Sequence, residues 1–306
     1  MRSLPPSGRQ HVIERGPQRA VVTEVGATLR SYTVDGMELL DTFSEEAMCD
    51  SCRGQVLAPW PNRIDHGRYR FAGRARRLSL SEPERDNAIH GLVRWLPFDL
   101  AGAAKPDRLQ LSCLLYPQDG YEFMVLVDIT YALSDEGLGV KLGAHNRGTE
   151  PAPFGAGYHP YLAAGSGTVD DTQVLIPAAT VLTTDDRLIP TGEAPVVGTG
   201  LDFRSLRPLG DARLDLCFTD LARDDAGIAR VEFAVPGRPA VTMFMDEHHD
   251  FLQVYTGDTL EEHRRRRGLA VEPMTCAPDA FNNGRGLRVL EPGESFTSRW
   301  GIGTIA

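Results

Sequence analysis

Residues 125–133 read Val-Leu-Val-Asp-Ile-Thr-Tyr-Ala-Leu, and the fold class turns on the period of that stretch. Val125, Val127, Ile129, Tyr131 and Leu133 alternate with positions that include Asp128 and Thr130. A period of two sends alternate side chains to opposite faces of an extended chain, so the stretch predicts a strand with one face on a core. The pattern repeats outward. Upstream, Leu109, Leu111, Cys113 and Leu115 alternate; downstream, Val140, Leu142 and Ala144 do, and then Val231, Phe233 and Val235. Residues 241–245 and 251–255 are further candidates, with the β-branched and aromatic content of strands. Pro117-Gln118-Asp119-Gly120, Ser134-Asp135-Glu136-Gly137 and Asn146-Arg147-Gly148 separate the runs and supply the Gly, Asp or Asn that tight reversals need. No long helical period intervenes. That speaks against β-α-β units and predicts an all-β fold built from antiparallel strands.

The chain has 306 residues, 42% hydrophobic and 24% charged, with 31 Gly and 21 Pro. At about 150 residues per domain the length suggests roughly two units, but β-sandwiches often run past 200 residues as one. Neither a linker nor an internal repeat is visible, so residues 1–306 are expected to form a single domain. The formal charge of −10 lacks the basic balance of a nucleic-acid binder and does not suit an anionic membrane surface. The longest apolar run, residues 123–127, is far short of the about 20 residues that span a bilayer. The first eight residues, MRSLPPSG, lack the apolar stretch of a signal peptide. A cytoplasmic protein is expected.

Cys49, Cys52, Cys113, Cys217 and Cys276 are too sparse for a disulfide framework. Cys49-x-x-Cys52 has the spacing of a redox pair or half a zinc site, but no second pair completes a metal set, and none is expected. The run Glu261-Glu262-His263-Arg264-Arg265-Arg266-Arg267 reads either as a solvated loop or as a contact for phosphate or an acidic partner.

Four segments concentrate polar or titratable groups among Pro, Gly and aromatics. In Ala58-Pro59-Trp60-Pro61-Asn62-Arg63-Ile64, two prolines stiffen the backbone that presents Asn62 and Arg63. Arg63 offers five fixed donors to a polyhydroxylated ligand, and Trp60 a stacking face; a salt-bridged surface edge is the alternative. In Asn87-Ala88-Ile89-His90-Gly91-Leu92, His90 is either a core histidine or a ligand contact. In Gly155-Ala156-Gly157-Tyr158-His159-Pro160-Tyr161-Leu162, His159 is held extended by Pro160 and can serve as acid or base near neutrality. In residues 270–282, AVEPMTCAPDAFN, Glu272 sits in an apolar run, where desolvation raises a carboxyl toward neutrality. One His and one Glu, each before a proline, make an acid/base pair possible.

At these segments the chain resembles the aldose 1-epimerase (mutarotase) family. The matching stretches are PWPNRI (59–64), IHGL (89–92), GYHPYL (157–162), LDLCFTDL (214–221) and AVEPMTCAPDAFNNG (270–284), in the family's order. The resemblance implies a large antiparallel β-sandwich with a sugar cleft, and interconversion of the α and β anomers of a free aldose without metal or organic cofactor. It implies Glu272 as general base and His159 as general acid. Asn62, Arg63, His90 and Asp215 are implied as sugar contacts, with Tyr161 a further one. On this reading His159 enters protonated and protonates the ring oxygen while Glu272 takes the C1 hydroxyl proton. GYHPYL differs from the galactose mutarotases, which have Asn before the His and Ser-Tyr after it, and Leu216 stands where a His is common. Both differences bear on which sugar is taken. PWPNRI also differs from the Gly-Gly-x-Pro-type stretch of relatives acting on hexose 6-phosphates. Two other readings stay open: a non-catalytic sugar-binding protein, and a glycoside hydrolase using Asp215 with Glu272.

Overall fold

The stretch that opened the sequence reading is the strand Val125–Ser134, buried at Val125, Val127, Ile129, Tyr131 and Leu133 and more open between them. The computed structural model describes residues 4–103 and 105–305. The start of the N-terminal stretch read for a leader, residues 1–3, lies outside them. Val125–Ser134 pairs antiparallel with Arg108–Leu115 and Gly137–Asn146, with Leu111, Ile129 and Leu142 in one row across the sheet. Nine strands make this sheet. Ser295–Ile305 lies between Gly137–Asn146 and Ala240–Met245 and joins the two halves.

The second large sheet has eight strands. Its path runs Pro190–Pro195, Ala178–Thr184, Asp215–Leu221, Phe251–Tyr255, Gly268–Met274, Gly157–Tyr158, Val56–Leu57, and Tyr161–Ala163 also pairs with Gly268–Met274. A four-stranded antiparallel sheet, Gln10–Arg15 to Met37–Glu38, adds the N-terminal segment. Buried side chains of all three, from Ile13 through Leu142 and Val254 to Ile302, form one hydrophobic cluster. The expected antiparallel β-sandwich is the observed fold. No helix among the described residues is long and apolar enough to cross a membrane.

Two expectations need correction. The run at 261–267 is a solvated loop only in part: residues 261–263 and Arg265 are exposed, whereas Arg264, Arg266 and Arg267 are drawn into the fold. Arg264 bonds Asp41 and the Thr42 carbonyl; Arg266 pairs with Asp170 and Asp258; Arg267 bonds the Ser166 carbonyl. The run fastens remote loops because its acceptors come from other parts of the chain. Trp60 offers no stacking face: it is 2% exposed and packs edge-on against Phe281.

The turn at Gly137 shows what the reversals demand. Its φ is +115°, and a Cβ there would lie 2.2 Å from the Ile302 carbonyl oxygen. Gly137→Ala is therefore expected to cost about 2 kcal/mol or more through backbone strain and a contact that cannot relax. Urea denaturation checks this, with the midpoint falling at unchanged slope.

Candidate active site

Glu272 lies in Gly268–Met274, a strand buried at every position, and faces Gln253 in the neighbouring strand. Asp215, Tyr255 and Ala270 form the row two residues away, so Glu272, Gln253 and Asp215 share a face of the sheet. Gln253 Nε2 donates to Asp215 Oδ1 at 2.7 Å and fixes that carboxylate.

His159 stands in the break between Gly157–Tyr158 and Tyr161–Ala163, where Pro160 supplies no ladder donor. Its backbone is held on both sides: its N–H donates to the Gln55 carbonyl, and its carbonyl accepts from Gly54. Only glycine fits at position 54, where φ is +69° and a Cβ would lie 2.0 Å from the Leu29 carbonyl oxygen. The imidazole stacks on Tyr161 at 5.0 Å between centroids, with the Arg53 guanidinium 4.6 Å from the Tyr161 ring. Asp41 and Asp50 pin Arg53, and Arg264 reaches the same two carboxylates. The Tyr161 hydroxyl donates to the Ser51 carbonyl, so that side chain faces the site with its ring.

Asn62 and Arg63 open a short ribbon, Arg63–Asp65 paired with Asn87–Ile89, and His90 closes it. Asn62 and His90 both adopt positive φ, 54° and 64°, the kind of strained backbone that gathers at functional sites. The Asn62 N–H donates to His90 Nδ1 at 3.3 Å, so the ring proton of neutral His90 sits on Nε2. Arg63 is held in a two-point grip by Glu82, at 2.8 and 2.9 Å.

The centre is the contact of His159 Nε2 with Glu272 Oε1 at 3.4 Å. Both groups are cut off from solvent, 6% and 2% exposed, and Glu272 Oε2 and His159 Nδ1 have no partner among the described residues. Burial pushes the Glu272 carboxyl well above its usual range, and the charge of Asp215 adds to that while Arg63 opposes it. Burial pushes His159 down to about 3, helped by the charges of Arg53, Arg94 and Arg63. Both directions favour the neutral pair, with the proton on Glu272, over the His159 imidazolium expected from the sequence. His90 is driven down by burial and by His159 beside it. Asp215 is raised by burial, against the pull of Arg63.

All seven residues singled out from the sequence line one cavity of about 320 Å³, within the range of small-molecule sites. A larger hollow of about 480 Å³ lies along the hairpin of Arg68–Phe71 and Arg74–Arg77 and gathers no acid–base pair. Glu82, Gln253 and Arg94 also line the site, and the sequence reading misses them. Gln253 had a signal, as the lone polar residue of Phe251–Tyr255. Glu82 lies in a charge-rich turn that hides it. Arg94 donates to the Cys52 sulfur at 3.0 Å and makes no ion pair among the described residues. Cys49 is free and buried, and desolvation pushes its thiol up, which quiets it as a nucleophile.

His90, His159 and Glu272 bring donor atoms within 4.8 Å of one another. A metal-bound imidazole turns its second ring N–H onto an acceptor. His90 Nδ1 faces the Asn62 amide, itself a donor, and His159 Nδ1 faces no partner. Among the described residues, neither imidazole of the cluster therefore turns its Nδ1 onto an acceptor.

Residues 9–302 match the family model for aldose 1-epimerase. The uncharacterized protein YihR of Escherichia coli (strain K12) is 34% identical over 289 residues, covering 94% of this chain and 91% of that protein. The galactose mutarotase of Homo sapiens is 28% identical over 270 residues, covering 79% of this chain and 76% of that protein. Among solved structures, the GalM/aldose epimerase homologue from C. elegans superimposes with a TM-score of 0.84 at 20% identity, covering 97% of this chain and 100% of the other. Galactose 1-epimerase from Lactobacillus acidophilus NCFM superimposes at 0.80, also with 20% identity, covering 97% and 95%.

Two outcomes test the site's electrostatics. In an NMR titration His159 is expected to stay neutral at and well below pH 6.5, and an imidazolium at neutral pH would refute the assignment. Glu82→Ala leaves the buried Arg63 guanidinium unpaired and is expected to cost about 3–5 kcal/mol in chemical denaturation.

Proposed function

Because the chain belongs to the aldose 1-epimerase family, we propose that it is a mutarotase. It interconverts the α and β anomers of a free aldose such as glucose or galactose by acid–base ring opening, with no metal or organic cofactor. The observation that carries this reading is the desolvated Glu272–His159 pair facing a sugar-sized cavity. The C1 hydroxyl and the ring oxygen of a pyranose share one carbon, so adjacent groups suffice to serve both. Residues 9–302 match the family as one stretch, in keeping with a single domain over 1–306. Five unpaired cysteines suit a reducing compartment, and the protein is assigned to the cytoplasm.

In the free pocket the pair carries one proton, on Glu272. The C1 hydroxyl of a bound sugar donates to Glu272, supplying the partner that Oε2 lacks, and a donor to a carboxylate favours its charged form. The displaced proton passes to His159 Nε2, opposite the ring oxygen. Glu272 then takes the C1 hydroxyl proton while His159 gives its proton to the ring oxygen. The bond from C1 to the ring oxygen breaks and leaves the open aldehyde. Rotation about C1–C2 presents the other carbonyl face, and reclosure reverses both transfers with no net change in protons. Arg63, Asn62, His90 and Asp215 hold ring hydroxyls, and Tyr161 presents its ring face. Positioned proton transfer of this kind is worth about 10²–10⁴-fold.

Glu272→Gln is expected to bring turnover down by that factor while aldose binding stays within a few-fold of wild type. Exchange NMR at anomeric equilibrium measures the rate and calorimetry the binding. Full activity in this variant would end the assigned role. Wild-type protein that binds aldoses without speeding exchange would be a sugar-binding protein.

The pH profile has a definite sign. The active pair holds one proton. A second is taken up only when His159 titrates, displaced well below 6.5, and the first is lost only when Glu272 ionises, displaced well above 4.5. The plot of kcat/KM is therefore expected to have its acid limb well below pH 6.5 and its basic limb well above pH 4.5.

A further inference from the structure

Arg187 lies outside the cavity, yet every polar side-chain contact it makes falls on the segment that carries the sugar-binding residues. It sits in the turn between Ala178–Thr184 and Pro190–Pro195, at the edge of the eight-stranded sheet. Asp185 locks that turn by accepting the N–H groups of Arg187 and Ile189, each at 2.9 Å. From there the guanidinium crosses to residues 65–87. It donates to Asp65 Oδ1 at 2.5 Å, Asn87 Oδ1 at 2.8 Å, the Arg85 carbonyl at 3.0 Å and the Asp86 carbonyl at 3.3 Å, and meets His66 Nε2 at 2.9 Å.

Asp65 and Asn87 are directly opposite in the ribbon of Arg63–Asp65 and Asn87–Ile89. One guanidinium thus joins both strands at the end away from the sugar, while the His90 N–H to the Asn62 carbonyl closes the other end at 2.9 Å. The link also runs inward. The fully buried Asn87 amide donates to the Arg187 carbonyl and to Glu82 Oε2, each at 3.0 Å, and Glu82 holds Arg63. Planar, multi-point donation is what arginine does and a lysine ammonium does not.

We propose that Arg187 is a positioning residue: its guanidinium cinches the ribbon carrying Asn62, Arg63 and His90 and, through Asn87 and Glu82, sets the direction in which Arg63 points. The inference rests on the reading of Arg63 as a sugar contact. Its main effect falls on binding, because Glu272 is held by its own strand and His159 by Gln55 and Gly54, and Arg63 reaches that pair through its charge alone.

The test compares wild type with Arg187→Ala, Arg187→Gln and Arg187→Lys. Three readouts are used: NMR of the Arg63 Nε–H, calorimetric binding of glucose and galactose, and steady-state anomer exchange. In Arg187→Ala the Arg63 Nε–H is expected to exchange with solvent about tenfold faster or more, with KM and Kd about tenfold higher and kcat within about threefold of wild type. Arg187→Lys should not restore them, whereas free guanidinium ion, well below denaturing concentration, should partly restore Arg187→Ala. In combination with Glu82→Gln, loss of Arg187 should add almost nothing, since both act through Arg63. An unchanged Arg63 signal with unchanged Kd overturns the proposal, as does an effect fully additive with Glu82→Gln. Should Arg187→Ala not fold, Arg187→Gln carries the same comparison. If wild type fails to speed exchange, the mutarotase reading fails while Kd still decides Arg187's role; if wild type binds no aldose, the Arg63 signal alone decides it.

Discussion

A carboxyl and an imidazole withdrawn from solvent and left with one proton between them set the terms for the rest of the molecule. Each would prefer water, and taking a charge out of water without a partner is costly, so the pair settles as two neutral groups. Glu272 Oε2 and His159 Nδ1 are buried without a hydrogen-bond partner among the described residues. An orphaned buried polar atom is a debt against stability, and it persists only where the surroundings are stiff enough to impose it.

The stiffness comes from two sides built on different principles. Behind His159 the support is stacked: imidazole on Tyr161, Tyr161 under Arg53, and Arg53 between Asp41 and Asp50, which Arg264 also reaches. Behind Glu272 it is a sheet, with hydrogen-bonded neighbours on both flanks of Gly268–Met274. Arg63 belongs to neither and depends on a buried two-point pairing with Glu82. Burial opposes the ionisation of Glu82, but the bonds and charge of Arg63 outweigh it and hold the carboxyl below its usual range. Burial thus favours the neutral form of Glu272 and His159, while Arg63 and Glu82, lining the same cavity, stay a charged pair.

The parts legible in the sequence were those with a strong local signal. Val125–Ser134 and Phe251–Tyr255 could be read from alternation or apolar content because one or both faces are buried along their length. The two strands flanking the His159 turn are too short to show a period: Val56–Leu57 and Gly157–Tyr158 have two residues each. His159 and Glu272 stood out through their neighbouring prolines and apolar flanks. Glu82 did not, because its meaning lies in Arg63, 19 positions away. The protonation of His159 is not legible in the sequence, because an ordinary imidazole pKa gives no measure of burial, which pushes this ring down. The arginine run misled for the same reason as Glu82: a count of charges says nothing of Asp41, Asp170 and Asp258, which meet it only in three dimensions.

Gly268–Met274 and Ser295–Ile305 each lie inside a sheet, between neighbours that are remote in sequence. Ser295 pairs with His145 and Met274 with Gly157, so neither layer can close until more than a hundred intervening residues have been brought to heel. Closing such long loops costs entropy before any contact rewards it, and chains dominated by non-local pairing fold slowly. Refolding from denaturant should therefore be a slow, concerted event in which the two layers zip up together.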